Sequence, residues 1–312
     1  MDLTFEQIKT FTKGALTVRQ DGDMIDFCRF TQRQIDAFCK GDPGFLNGAL
    51  TTTGCRIDFH TDSDYIELHV ASAGKYEIMV NALPWRRYVA YSSDRFHADL
   101  PSGDKRVTVV LPSHSHGKLY GIKLSESASL CGHDYRMKLL FHGDSITQGW
   151  DSHWDCLSYA WQVTTAFDAD SMILGIGGTF FLPDTVENVG FEPDAIVVAY
   201  GTNDLFRFPS LEAFTAACRA FLDNISTQFP GKKVFCLTPV WRADAHNYPV
   251  YSLDEVRETV AQEARNHGFF LVHGEELIPA LPEFFQDEFL HPNDLGFGIY
   301  ARNLTRQMQD HL

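Results

Sequence analysis

The chain has 312 residues, 44% of them hydrophobic, and its 26 Lys and Arg against 41 Asp and Glu leave a net charge of −15. This composition supports buried cores rather than a disordered chain, and the acidic excess repels phosphate backbones, which argues against a nucleic-acid partner. No run approaches the roughly 18 apolar residues of a membrane span, so no membrane partner is expected either.

At roughly 100–200 residues per domain, the length predicts two domains. The N-terminal MDLTFEQIKTFTKG has no basic segment followed by an apolar one, so no secretory signal is read. Residues 31–40 suggest a short helix. Arg56–His60 and Tyr65–Ala71 flank the polar turn Thr61-Asp62-Ser63-Asp64 and read as a hairpin. Further strand-like runs follow at Tyr76–Val80, Arg106–Leu111 and Lys118–Leu124, punctuated by Gly, Pro and Ser. Residues 1–133 are therefore expected to form an all-β, jelly-roll-like sandwich. Ser125–Asp134 (SESASLCGHD) reads as a linker.

From residue 134 to 312, strands and helices alternate. Met137–His142, Ser171–Leu174, Ala195–Tyr200, Val234–Leu237 and Phe269–Val272 are the strands. The helices are Ser158–Phe167, the stretch carrying Leu211, Phe214, Cys218, Phe221, Leu222 and Ile225 at helical spacing, Ser252–His267 and Gly296–Met308. Ser252 with Asp254 and Glu255 is a helix-start signature. Strands alternating with helices imply an α/β domain with a parallel sheet covered on both faces. The seven cysteines are scattered, with no CxxC, and fit reduced thiols; a cytoplasmic location is expected.

Three segments after strands and one just before the last helix are candidates to carry chemistry. Gly143-Asp144-Ser145-Ile146-Thr147 follows the first strand, where a turn serine exposes its hydroxyl and its N–H can face a developing oxyanion; Asp and Ser are also ordinary turn formers. Gly175-Ile176-Gly177-Gly178 permits close backbone approach, and it lacks the third glycine of a dinucleotide fingerprint because Phe180 stands there. Asn203 in Gly201-Thr202-Asn203-Asp204 is a candidate oxyanion donor or an Asx turn. The fourth segment, Glu288-Phe289-Leu290-His291-Pro292-Asn293, precedes the last helix and offers His291, an imidazole being the side chain type suited to taking and returning a proton.

In order, spacing and position, these four segments resemble the SGNH hydrolases, also called GDSL esterases, over about residues 136–312. The resemblance implies a flavodoxin-like three-layer hydrolase domain. It makes Ser145 the nucleophile and His291 the catalytic histidine, with Ser145, Gly178 and Asn203 forming the oxyanion hole. The family usually places Asp three residues before the histidine; here Glu288 occupies that position. Glu288 is therefore the expected orienting carboxylate. Asp287 is its rival, and a backbone carbonyl in that role is a third arrangement.

A sandwich ahead of such a domain resembles some acetyl esterases acting on plant polysaccharides or oligosaccharides. The expected substrate is thus a short-chain ester, acetyl first, on a small molecule or oligosaccharide, with no cofactor and no metal. An acyltransferase on the same scaffold is the nearest alternative, and an inert carbohydrate-binding protein is another.

Other features read as structural. His114-Ser115-His116 lacks further metal ligands at a telling spacing, and Asp21-Gly22-Asp23 lacks the rest of a calcium loop. Trp150, Trp154 or Trp241 are candidates to wall the cleft, with core packing the competing reading; Trp161 also follows the nucleophile. Tyr76, Trp85, Tyr88 and Tyr91 are candidates for a sugar platform, with packing favoured.

Overall fold

The computed structural model describes residues 1–312, which divide into two units. The first comprises residues 1–30, 50–136 and 154–156; the second comprises 31–49, 137–153 and 157–312.

The first unit begins with α1 (Phe5–Phe11), whose Thr4 and Gln7 form a reciprocal N-terminal cap. Its strands are β1 (Thr12–Lys13), β2 (Thr17–Asp21), β3 (Met24–Cys28), β4 (Arg56–Thr61), β5 (Tyr65–Val70), β6 (Gly74–Val80), β7 (Leu83–Ala90), β8 (Asp94–Asp99), β9 (Lys105–Val110), β10 (Lys118–Leu124) and β11 (Cys131–Gly132). One antiparallel sheet runs β1-β4-β9-β6-β7, with β11 also paired to β4; the other runs β2-β3-β10-β5-β8. Alternating apolar residues such as Ile57, Phe59, Ile66, Leu68, Val107, Val109 and Ile122 fill one core.

The expected hairpin of β4 and β5 does not form. The two strands lie in different sheets, so the polar turn carries the chain across the sandwich. Ser63 is buried at this corner, where its hydroxyl donates to Tyr65 O at 2.6 Å. Turn chemistry announces a reversal, but it does not say whether the strands pair or face each other across a core.

In the second unit α2 (Gln32–Gly41) and α3 (Phe45–Ala49) come first in sequence. There follow β12 (Met137–Gly143), α4 (Ser145–Gln148), α5 (Tyr159–Ala166), β13 (Ala169–Gly175), β14 (Ala195–Ala199), α6 (Leu211–Gln228), β15 (Lys233–Leu237), α7 (Leu253–Asn266), β16 (Phe270–Val272), α8 (Gly274–Leu277) and α9 (Asp294–Gln309). All pairings in its sheet are parallel, in the order β13-β12-β14-β15-β16. That is the flavodoxin-like order, and it puts the topological switch point at the carboxyl ends of β12 and β14.

The units are not divided by a single cut near residue 133. The chain leaves the first unit after Phe30, contributes Thr31–Ala49 to the second, and returns. This excursion is held by the second unit's own residues: Thr31 Oγ1 donates to Glu187 at 2.6 Å and Gln34 Nε2 to Thr185 O at 3.1 Å. Gly48 allows close packing, since a Cβ there would stand 2.5 Å from Ile176 Cγ2. Trp154–Cys156 belong conversely to the first unit, where Asp155 accepts from Ser113 N and Glu77 from Cys156 N. No helix is long and apolar enough to cross a membrane, and all seven cysteines are free.

Candidate active site

β12 delivers Gly143-Asp144-Ser145 to the switch point. Ser145 opens the short α4, with Asp144 as its cap accepting from Ile146 N at 2.9 Å. The nucleophile candidate therefore sits in the first helical turn itself. Gly175, at the end of β13, has to be glycine: a Cβ there would lie 2.4 Å from Gln148 N and 2.7 Å from Thr147 C. Gln148 then ties the next loop to α4 by accepting from Gly177 N at 2.7 Å. Gly178 has φ +78°, a conformation that favours glycine.

Ser145 Oγ lies 2.9 Å from His291 Nε2. His291 Nδ1 lies 2.7 Å from Asp287 Oδ2. The carboxylate on the imidazole is thus Asp287, and the expectation of Glu288 is corrected. Glu288 is exposed and takes a left-handed backbone, φ +64°, that turns its side chain out of line. Asp287 closes the turn from within, because its Oδ1 accepts from Phe289 N at 3.0 Å, Leu290 N at 2.8 Å and His291 N at 3.0 Å. Burial pushes the Asp287 carboxyl up, but these N–H groups and the histidine outweigh it and hold it below the ordinary carboxylate value. It faces His291 as an anion.

A second carboxylate approaches the same nitrogen. Asp151 Oδ2 is 3.7 Å from His291 Nδ1. Asp151 also has a left-handed backbone, φ +70°, and burial raises its pKa. Ligand atoms of Asp151, Asp287 and His291 lie within 4.8 Å of one another, so this is the group whose geometry suits a metal ion. Its imidazole nitrogen is already hydrogen-bonded to Asp287. Nothing in the sequence motif singles out Asp151; only its place six residues after the serine hints at proximity.

The candidate oxyanion donors lie at the ends of neighbouring strands. The Ser145 and Gly178 backbone N–H groups make no hydrogen bond within the protein. Asn203 is buried, and its amide donates to Thr179 O at 2.9 Å, which fixes the side chain and leaves its second N–H. Behind it, Asp204 accepts from Gly201 N at 2.9 Å and Phe181 N at 3.0 Å, and Arg242 Nη1 donates to Thr202 O at 2.8 Å. Burial pushes Asp144 and Asp204 each up to about 7. Sequence reasoning does not single out Gln148, Asp204 or Arg242, since supports of a loop leave no spacing signature.

Trp150 is 42% exposed, with its ring 6.2 Å from that of His291, so it borders the site. Trp161 is buried in the core, and Trp241 packs on Phe285 at 5.0 Å. Tyr76 lies in the sandwich core while Tyr91 is exposed, so these tyrosines form no common platform. His116 pairs with Asp26 at 2.7 Å. Gly22 turns the β2–β3 hairpin.

A serine hydroxyl on an imidazole, itself on a carboxylate, together with candidate oxyanion donors can transfer an acyl group through a covalent intermediate. Comparison with curated proteins gives no match. Among solved structures, a salicylyl-acyltransferase from a tetracycline biosynthetic pathway is similar at TM-score 0.84 and 20% identity, covering 96% of this chain and 94% of that one. A family two carbohydrate esterase from Cellvibrio japonicus is similar at TM-score 0.70 and 15% identity, with 96% and 94% covered. An acetyl xylan esterase from the rumen bacterium Butyrivibrio proteoclasticus is similar at TM-score 0.67 and 16% identity, with 99% and 98% covered. At these identities the likeness shows the fold. The sequence pattern of the GDSL-like lipase/acylhydrolase family matches residues 141–299, from β12 into α9 and across all four motif segments; the chain belongs to that family.

Proposed function

We propose that the protein is a serine esterase that removes short acyl groups, acetyl first, from a carbohydrate. The observation that carries this reading is the unbroken relay from Ser145 Oγ to His291 Nε2 at 2.9 Å and from His291 Nδ1 to Asp287 Oδ2 at 2.7 Å. His291 takes the serine proton as Ser145 Oγ attacks the ester carbonyl. The oxyanion is held by the Ser145 and Gly178 N–H groups and the Asn203 amide. Collapse breaks the ester C–O bond, and His291 returns the proton to the departing alcohol. Water then attacks the acyl-serine with His291 again as base, releasing the acid and restoring Ser145. Asp287 holds the proton on Nδ1, so that Nε2 faces the serine as an acceptor.

The carbohydrate is supported by the fold likeness to carbohydrate esterases. Transfer to an alcohol in place of water is supported by the fold likeness to the salicylyl-acyltransferase. Both use the same acyl-enzyme and differ only in the acceptor. The test is hydrolysis of p-nitrophenyl acetate and of acetylated xylo-oligosaccharides by the parent protein and Ser145→Ala, with and without added alcohols. Turnover of both substrates that is abolished in the variant is expected. Equal activity of the two proteins would remove Ser145 from the mechanism. Acyl release that requires an alcohol would make the protein a transferase.

A further inference from the structure

The outer face of the second sandwich sheet contains a groove unrelated to the residues of the relay. Its volume is about 570 Å³, and every residue lining it belongs to the first unit. This lies within the ~300–1,000 Å³ span of small-molecule sites.

The groove arises from an irregularity in β10. Pairing with β5 runs Leu119 to Val70 and then Gly121 to His69, so two residues on β10 oppose one step on β5. A bulge of this kind breaks strand alternation and re-aims side chains. Here it leaves Tyr120 and Gly121 both on the outer face, between buried Leu119 and Ile122. Tyr120 leans against His69, with ring centroids 4.5 Å apart. Gly121 supplies no side chain, and a Cβ there would meet nothing within 4 Å. The groove floor is therefore open backbone beside an aromatic wall.

Its polar groups are set out for a ligand rather than for one another. Tyr120 Oη, the His69 ring, the Arg95 guanidinium and the Lys123 ammonium make no hydrogen bond or ion pair within the protein. Glu67 approaches only His97, at 3.5 Å. Burial and then the Arg95 cation lower the His69 pKa from its ordinary 6.5, which favours a neutral ring at pH 7. The formal charges around the groove, Asp2 and Glu67 against Arg95 and Lys123, cancel. On a chain of net charge −15, local neutrality selects against strongly anionic and strongly cationic ligands alike.

We propose that this groove binds a neutral oligosaccharide. A pyranose ring presents an apolar C–H face to an aromatic wall and hydroxyls that both donate and accept. Arg95, Lys123 and His69 supply donors, and Glu67 an acceptor. The site goes beyond the esterase reading and needs none of its residues.

The test is calorimetric titration of the full chain carrying Ser145→Ala with cellotetraose, xylotetraose and mannotetraose. A second set of proteins adds Gly121→Leu or Tyr120→Ala. Leucine enters the groove where a Cβ meets no atom within 4 Å, and Gly121 has no positive φ, so neither a Cβ clash nor backbone strain opposes folding. At least one saccharide is expected to bind saturably, with either substitution weakening it roughly tenfold or more. Gly121→Leu on the otherwise unchanged protein is expected to keep its p-nitrophenyl acetate turnover. Absence of saturable binding by all three sugars overturns the proposal, as does binding that both substitutions leave unchanged. Binding sensitive to Gly121→Leu in a protein without esterase activity would uphold the groove and refute the esterase reading.

Discussion

Removing the Asp287 carboxylate tests how His291 is held. In trypsin-like proteases, whose fold is unrelated, replacing the triad aspartate by asparagine costs about 10⁴ in turnover, because the histidine adopts the wrong tautomer. The same substitution here turns an amide N–H toward Nδ1 and forces the proton to Nε2, where it blocks the serine. Asp287→Asn is therefore expected to lose about 10⁴. Asp287→Ala is different, because Asp151 stands 3.7 Å from the same nitrogen against 2.7 Å for Asp287. Coulomb attraction falls as the inverse of distance, so Asp151 retains roughly three quarters of the pull on a nascent imidazolium. It is an acceptor as well, and it keeps the productive tautomer. Asp287→Ala is expected to lose only about 10², and Asp151→Ala a few-fold at most, whereas the double alanine variant falls to the level of Asp287→Asn. Values of kcat and KM for p-nitrophenyl acetate, with circular dichroism to confirm folding, decide the matter. An alanine variant no more active than the asparagine variant refutes the reasoning. So does a double variant no worse than Asp287→Ala.

Other outcomes follow from the same geometry. Asn203→Ala removes an oxyanion donor and is expected to lower kcat about 10²–10³-fold with little change in KM; an unchanged kcat would discard its role. Gly175→Ala forces a Cβ onto the α4 backbone at 2.4 Å and is expected to cost about 1–3 kcal/mol, read as a fall in Tm, together with activity. Asp155 is raised from 3.8 to about 7 by burial and then by Glu77. A raised carboxyl stabilises the fold below its unfolded value and loses that contribution as pH rises through its folded one. Tm is thus expected to decline from pH 5 to 8, more gently in Asp155→Asn, with Asp144 and Asp204 supplying the remaining slope; parallel profiles would contradict this.

The second unit is more legible in sequence than the first for a physical reason. Helices such as α7 announce themselves by a capping box, Ser252 with Glu255, and β14 by an apolar run that only a two-sided parallel strand carries. By contrast β7, which sequence reasoning does not find, is an edge strand with Pro84, Trp85, Arg86 and Arg87, largely exposed. Edges are built from residues that look like loop. Ser145, Gly178, Asn203 and His291 lie at strand ends and before a helix, where order along the chain maps onto position. Asp287 comes second to Glu288 in sequence because counting residues assumes a regular turn, and the left-handed Glu288 breaks that assumption. The excursion of residues 31–49 leaves no boundary signal, since partners such as Thr185 and Glu187 lie far downstream.

That excursion also imposes an order on synthesis. Phe38 and Phe45 leave the ribosome long before Phe180 and Arg207, against which Phe45 finally packs. At about 5–20 residues per second, the 158 residues from Ala49 to Arg207 occupy roughly 8–30 s. Until Ile176, Phe180, Thr185, Glu187 and at last Arg207 are made, the small helical segment lacks part of the surface that holds it. A fragment released before residue 180 would contain Phe45 but neither Phe180 nor Arg207, the residues against which its ring packs in the finished fold.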